Sequence, residues 1–163
     1  MQLDLFDLKQ NRKKEISFEE TLTFAKDMLI GHNVDSVEPF AVAGKVCFLD
    51  NKLYIHFHYE GMVHFVCDRC LSVFAYALKN EVSRELSELD EFDVDWLVIR
   101  DGKIDLTEAL TDDILINLPI QLLCSENCEG LCPTCGANLN VESCECDNET
   151  IDPRLEGLKN FFN

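Results

Sequence analysis

Lysine and arginine are the scarce residues of this chain. It has 14 of them against 31 Asp and Glu, a formal net charge of −17 over 163 residues. Phosphate binding relies on Lys and Arg to displace counterions, so a broad electrostatic grip on nucleic acid is excluded. A basic protein partner, or plain solubility, fits this balance. No run approaches the ~20 apolar residues of a membrane span. The opening MQLDLFDLKQNRKK lacks a basic segment followed by an apolar core, so it does not read as a signal peptide and the expected compartment is the cytoplasm. There is no Gly-rich phosphate loop, no G-x-S-x-G elbow and no H-E-x-x-H. The adjacent Asp112 and Asp113 fall on a predicted helix, where neighbours point apart, so they are not a catalytic dyad. No active site assembles from these residues, and a non-enzymatic protein is expected.

Cysteine, by contrast, is abundant, at 9 residues. A cytosolic protein keeps its thiols reduced, and the odd number also argues against a complete disulfide framework. Eight fall in close pairs: Cys67 with Cys70, Cys124 with Cys128, Cys132 with Cys135, and Cys144 with Cys146. Short pairs let two thiolates from one tight turn reach the same ion, and two such turns complete a tetrahedron. In CPTCG, Pro133 shapes the turn and Gly136 can take a positive φ after it. CDRCL at Cys67 is a second pair of this kind, at a strand end, with Arg69 and Lys79 as positive surroundings. Structural zinc is the leading reading, with one or two ions. The preferred grouping is Cys132, Cys135, Cys144 and Cys146 as one site, and Cys67, Cys70, Cys124 and Cys128 as the other. A single ribbon-like site from Cys67, Cys70, Cys132 and Cys135 stays open. A zinc-thiolate redox switch is the rival, opposed by Glu126, Glu129 and Glu142 near Cys132, which disfavour thiolates unless a metal takes over. Cys47 reads as a buried small hydrophobe. His56, His58 and His64 could gather as a lesser metal site.

The rest of the chain reads as α+β: a largely antiparallel sheet with flanking helices and a zinc-stapled C-terminal segment. A core domain is expected over 1–123. Residues 124–163 form a Cys-rich segment and a C-terminal helix, from Asp152, packed on that core. SFEETLTFAKDMLIG predicts a helix capped by Ser17 and Glu20 and closed by Gly31, with a strand over Ile16–Phe24 as the competing assignment. FAVAGKVCFL and KLYIHFHYE flank Asp50-Asn51 as a hairpin, with Gly61 as a bulge. SVFAYALKNEV and WLVIR are further strands, and Asp101-Gly102 a turn. Glu85–Asp95 reads as a solvated acidic loop. DLTEALTDDILINLP predicts a helix capped by Asp105 with Glu108 as its capping-box partner, carrying the stripe Leu106, Leu110, Ile114 and Leu118 and stopped by Pro119.

VCDRCL at 66–71, IDLTEALTDDILINLPI at 104–120, LCSENCEGLCPTCGANLN at 123–140, CEC at 144–146 and DPRLEGLK at 152–159 together resemble the YceD family. These are bacterial and plastid proteins required for accumulation of large-subunit (23S) ribosomal RNA. The resemblance covers about residues 60–160. It implies a role in large-subunit biogenesis; taken with the acidic charge, that role makes a basic partner, a ribosomal protein or an assembly factor, the expectation. A zinc-dependent RNA-binding protein is the alternative. Contact with rRNA would then need a local patch, for which Lys9, Arg12, Lys13 and Lys14, on a flexible N-terminal arm, are the candidates.

Overall fold

The computed structural model of the protein describes residues 1–10, 12–29, 31–49, 52–87 and 96–147. Asp50-Asn51, residues 88–95 of the acidic Glu85–Asp95 segment and the helix predicted from Asp152 lie outside them; Glu85–Ser87, expected as loop, are strand and pair with Trp96–Val98. Along the chain run β1 (Gln2–Asp4), α1 (Phe6–Lys9), β2 (Glu15–Leu22), β3 (Val34–Val37), β4 (Phe40–Leu49), β5 (Lys52–Val66), β6 (Val73–Ser87), β7 (Trp96–Val98), β8 (Lys103–Asp105) and α2 (Leu106–Asn117).

Alternation in β5 sets the architecture. Leu53, Ile55, Phe57, Tyr59, Val63 and Phe65 are buried, while His56, His58 and Glu60 between them are exposed. A strand with one oily face needs neighbours that repeat the pattern. β6 supplies one along the whole length of β5, from Leu53↔Leu86 to Val66↔Val73. On the other edge β4 pairs with the first part of β5 and β3 with its end. The sheet order is β2-β4-β5-β6-β7, with β3 beside β5. All of these pairings are antiparallel except β6 with β7, which is parallel. The structure is thus dominated by antiparallel sheet, with few helices.

The helix predicted over 17–31 is overturned. Glu15–Leu22 is strand β2, in register with β4 from Glu15↔Cys47 to Leu22↔Phe40. Phe18 and Leu22 are four apart, a spacing that suits a strand face as well as a helix face. The free edge of β4 decides between them, because an eight-residue ladder satisfies backbone groups the helix would have left unpaired. Only a 3₁₀ turn at Lys26–Met28 follows, and Gly31 sits beyond it at φ +90°. The bulge expected at Gly61 is also absent. β5 runs straight through it, opposite Leu78, and the residue is glycine because the Phe40 ring lies on it. A Cβ there would meet that ring at 2.5 Å. Phe40 is fully buried and has nowhere to retreat. Gly61→Ala is therefore expected to cost about 1–3 kcal/mol, seen as a lower urea midpoint at unchanged slope; an unshifted midpoint would show that the ring has room.

The helix α2 forms where predicted, although the Glu108 carboxylate pairs with Arg100 at 3.2 Å instead of closing a capping box. Asp105 caps it, accepting from the backbone N–H of Thr107 at 2.9 Å. Leu106, Leu110, Ile114 and Leu118 are all buried and join the inward residues of the sheet in one core. Asp101 and Gly102 turn the chain into β8 with φ of 52° and 73°, the hand that two-residue hairpins favour.

The N-terminus is not a free arm. β1 pairs with β8, Leu5 and Leu8 are fully buried, and the terminal ammonium donates to Thr107 Oγ1 at 2.7 Å. The apolar residues that interrupt the polar start are what fold it down. Lys13 pairs with Asp7 at 3.4 Å, and the Arg12 guanidinium lies over the Phe6 ring. Among the described residues, no helix is long and apolar enough to cross a membrane.

Candidate metal centres

The turn between β5 and β6 is the first cysteine pair. Val66↔Val73 closes the ladder, and Cys67–Ser72 fill the space between. Leu71 N–H donates to the Cys67 carbonyl at 3.0 Å, and Cys67 N–H donates to the Ser72 carbonyl at 2.9 Å. The chain repeats this device in the C-terminal segment. Leu131 bridges Asn138, Gly136 N–H donates to Cys132 O at 2.9 Å, and Cys132 N–H donates to Ala137 O at 2.8 Å. The two turns are the same knuckle, bond for bond. In both, the residue after the second cysteine has a positive φ: 77° at Gly136, and 58° at Leu71. The glycine was readable in the sequence; the leucine in the same conformation was not.

The strand-end knuckle recruits the segment after α2. Asp68 N–H donates to Leu122 O, and Leu122 N–H returns a bond to Asp68 Oδ2 at 2.8 Å. Arg69 donates to the Cys128 carbonyl at 3.2 Å, and its own carbonyl accepts from Leu131. Gly130, at φ +79°, lets the chain pass this close; a Cβ would lie 3.2 Å from Arg69 O. Lys79, expected near this knuckle, lies along β6 opposite Glu60 instead.

These contacts bring Cys67, Cys70, Cys124 and Cys128 together, and Cys132, Cys135, Cys144 and Cys146 together, each set with all sulfurs within 4.8 Å of one another. The ribbon grouping of the two knuckles is not formed. In the first set Cys67 and Cys128 Sγ are 3.8 Å apart and Cys70 and Cys124 Sγ 3.6 Å. A tetrahedron with metal–sulfur bonds of about 2.3 Å has edges of about 3.8 Å. A disulfide needs about 2.05 Å, and all nine cysteines are free. The donor set and its spacing therefore fit a tetrahedral thiolate metal such as zinc.

The polar groups around the sulfurs suit the same charge. Cys124 N–H and Asn140 Nδ2 donate to Cys67 and Cys128 Sγ at 3.4 and 3.5 Å. Burial alone would push the Cys67 thiol up, but backbone N–H groups of Cys70, Cys124 and Arg69 bring it down to about 6. Cys70 is lowered by the backbone and hydroxyl of Ser72. Cys124 is pushed up to about 12 by the neighbouring Cys70 sulfur and by burial. In the second set Cys146 rises to about 12, through Cys135 and burial, and Cys144 also rises, a backbone N–H from Cys146 being outweighed by the Cys132 sulfur. One thiolate per set makes the next costly; a dication at the centre removes that penalty.

The lesser candidates separate. His56 and His58 stand exposed on the outer face of the sheet, while His64, about 20 Å further along β5, holds Glu38 at 2.8 Å. Among the described residues no metal-competent cluster includes a histidine. Cys47 is half-buried, on the outer face opposite Tyr54, rather than in the core.

Sequence reading missed one polar centre. Asp113 is buried on the sheet side of α2. Its carboxylate accepts from Tyr59 Oη at 2.9 Å, Asn80 Nδ2 at 2.9 Å, Arg84 at 3.2 Å and Asn117 Nδ2 at 3.1 Å. Burial, then the bond to Asp113, raises the Tyr59 phenol well above its usual range. The signal was present: Asp113 lies three residues after Leu110 and one before Ile114, on the apolar stripe.

Sheet, helix and two four-cysteine clusters thus define a protein with metal-competent knuckles, one of them built into a β-hairpin. Residues 55–162 match the family model described as Large ribosomal RNA subunit accumulation protein YceD, and the chain belongs to the YceD family. It is 24% identical to the uncharacterized protein YlbN of Bacillus subtilis, over 99% of this chain and 96% of that one. It is 37% identical to the chloroplastic large ribosomal RNA subunit accumulation protein YCED homolog 1 of Zea mays, over 43% of this chain and 26% of that one. An uncharacterized Mycobacterium tuberculosis protein, Rv2926c, is 34% identical over 56% of this chain and 47% of its own. The chain thus spans nearly all of the Bacillus relative, about half of the mycobacterial one and a quarter of the maize one. No solved structure matches it.

Proposed function

We propose that this protein is a cytoplasmic, non-enzymatic factor of large-subunit assembly that supports accumulation of 23S rRNA through a protein partner, a ribosomal protein or another assembly factor. The family match over residues 55–162 carries the reading, with the relatives named for rRNA accumulation beside it. The eight clustered cysteines hold two structural zinc ions, with Cys67, Cys70, Cys124 and Cys128 on one and Cys132, Cys135, Cys144 and Cys146 on the other. Four thiolates close each coordination shell, which leaves no position for a substrate or an activated water. Zinc here supplies folding energy. A direct grip on rRNA would fall to Lys9, Arg12, Lys13 and Lys14, yet Lys13 and Arg12 are engaged within the N-terminal element itself.

The test is complementation. In cells whose own family member is deleted, this chain is expected to restore the ratio of 23S to 16S rRNA. A variant with Lys9, Arg12, Lys13 and Lys14 all changed to serine is expected to restore it equally. Failure of the unmodified chain would overturn the assembly role; failure of the folded serine variant alone would move the activity to direct RNA binding.

A further inference from the structure

Leu71 is in an uncommon state. It has a left-handed backbone, φ 58°, a conformation that costs a leucine and that glycine adopts freely. The matching position of the second knuckle is glycine. The leucine gains no burial in return, since 61% of it is exposed. An apolar side chain held outward at a conformational cost marks a candidate contact point.

Its surroundings extend the point. On the outer face of the sheet β6 presents Val73, Ala75 and Ala77, all exposed. No charged residue occurs from Leu71 to Leu78; Arg69 and Lys79 flank the run, and His64, held by Glu38, lies opposite Ala75. At the knuckle this strip meets the C-terminal segment: Asn138 Nδ2 donates to Ser72 Oγ at 3.2 Å, and Val141, 83% exposed, donates its N–H to Asn138 O. Leu71, Val73, Ala75, Ala77 and Val141 thus run from the open sheet face onto the Cys-rich segment.

The charge around this strip selects its occupant. Between Lys103 and Arg154 the sequence contains no Lys, Arg or His. Glu126, Glu129, Glu142, Glu145 and Asp147 are all exposed on the segment beside the strip. Four thiolates around a dication add further negative charge at each knuckle. Nucleic acid is repelled by such a surface, and so is a second copy of a chain of net charge −17. The complementary ligand is cationic and carries an apolar anchor.

We propose that the strip from Ala77 to Leu71 and Val141 is the docking surface for a lysine- and arginine-rich segment of a protein partner. Leu71 is its apolar anchor, and the carboxylates of residues 126–147 are the charged rim. The inference rests on the protein-partner reading above and gives that partner a place to bind.

The probe is a short fluorescent peptide of alternating lysine and leucine, followed by anisotropy against the full zinc-loaded chain. Leu71→Gly is the informative variant, because it removes the anchor while relieving the backbone. Its thermal midpoint is expected to be unchanged or higher, and its peptide affinity lower by about tenfold. Leu49→Ser, which removes a similarly exposed apolar side chain at the other end of β5 from the knuckle, is expected to bind normally. A lysine–serine peptide is expected to bind weakly, and a uridine-rich RNA oligonucleotide not at all. Equal affinity of Leu71→Gly and the unmodified chain would overturn the proposal, as would equal binding of the lysine–serine peptide or competition by the RNA. If peptide binding behaves as expected but the unmodified chain fails to restore 23S rRNA, the surface stands and the assembly role falls.

Discussion

Purified protein is expected to contain two zinc ions per chain, and Cys67→Ser to lose one of them together with most of its cooperative unfolding transition. The cluster of Cys67, Cys70, Cys124 and Cys128 includes three buried sulfur residues packed with Phe74, Leu123 and Leu131, and it closes the central β5–β6 hairpin. A structural zinc contributes on the order of 10 kcal/mol, comparable with the whole ~5–15 kcal/mol stability of a domain. Cys135→Ser, on an exposed sulfur residue of the other cluster, is expected to lose one ion and leave the sheet transition in place. Elemental analysis with thermal melts reads both. One ion in the unmodified chain, or equal damage from the two variants, would sink the two-site account. Acid should separate the sites in the same order. Protons compete with the metal for thiolates, so a site whose thiols ionise at lower pH keeps its metal to lower pH. In the first set two thiols are lowered, Cys67 and Cys70, against one raised, Cys124, while in the second both Cys144 and Cys146 are raised. The C-terminal site is therefore expected to release zinc first as pH falls, which a colorimetric zinc indicator follows directly.

Asp113→Ala should be the most damaging single change outside the cysteines. Asp113 and Arg84 have side chains only 7% and 14% exposed, and the variant takes the shared carboxylate away from the guanidinium, the Tyr59 hydroxyl and the Asn80 amide. Removing one partner of a buried pair costs about 3–5 kcal/mol. Asp113→Leu combined with Arg84→Met should recover part of that loss, because both members of the buried pair are then replaced by apolar side chains. Denaturant melts of the two variants check this. A single variant as stable as the unmodified chain would show that water reaches Arg84, and a double variant worse than the single would show that the pair stabilises the fold net of its desolvation.

The sequence made α2 legible to the residue, because cap, stripe and stop agree: Asp105, then Leu106 to Leu118, then Pro119. It made β5 and β6 legible in part: alternation marks β5 as strand up to Glu60, while its run past Gly61 to Val66 and the Glu85–Ser87 end of β6, which reads as acidic loop, were not legible. β2 was misread because Phe18 and Leu22 satisfy both periods, and the deciding fact, the unpaired edge of β4, lies some twenty residues away. Gly61 was misread for a related reason. Its cause is the Phe40 ring, a contact between strands that no local pattern records. The cysteine pairs announced themselves by spacing, but their partition into fours depends on Asp68 holding Leu122 and on Gly130 passing under Arg69. Asp113 was hidden by its neighbour: the pair was judged as a pair, while the helix separates Asp112 on the outside from Asp113 within.

The hairpin knuckle also sets an order of events during synthesis. Cys67 and Cys70 close the β5–β6 turn, but their partner Cys124 lies 54 residues later than Cys70. When β5 and β6 first emerge from the ribosome they carry half a coordination sphere, two thiols at the tip of a finished hairpin. The second half arrives only after β7, β8 and α2 have been made. The C-terminal cluster, whose four cysteines span Cys132 to Cys146, has no such wait. Its loop closes over a short length, and short loops close at lower entropic cost. The C-terminal cluster can thus assemble once its own short span is made, while the hairpin knuckle would offer an incoming thiophilic ion only two thiols until Cys124 and Cys128 follow.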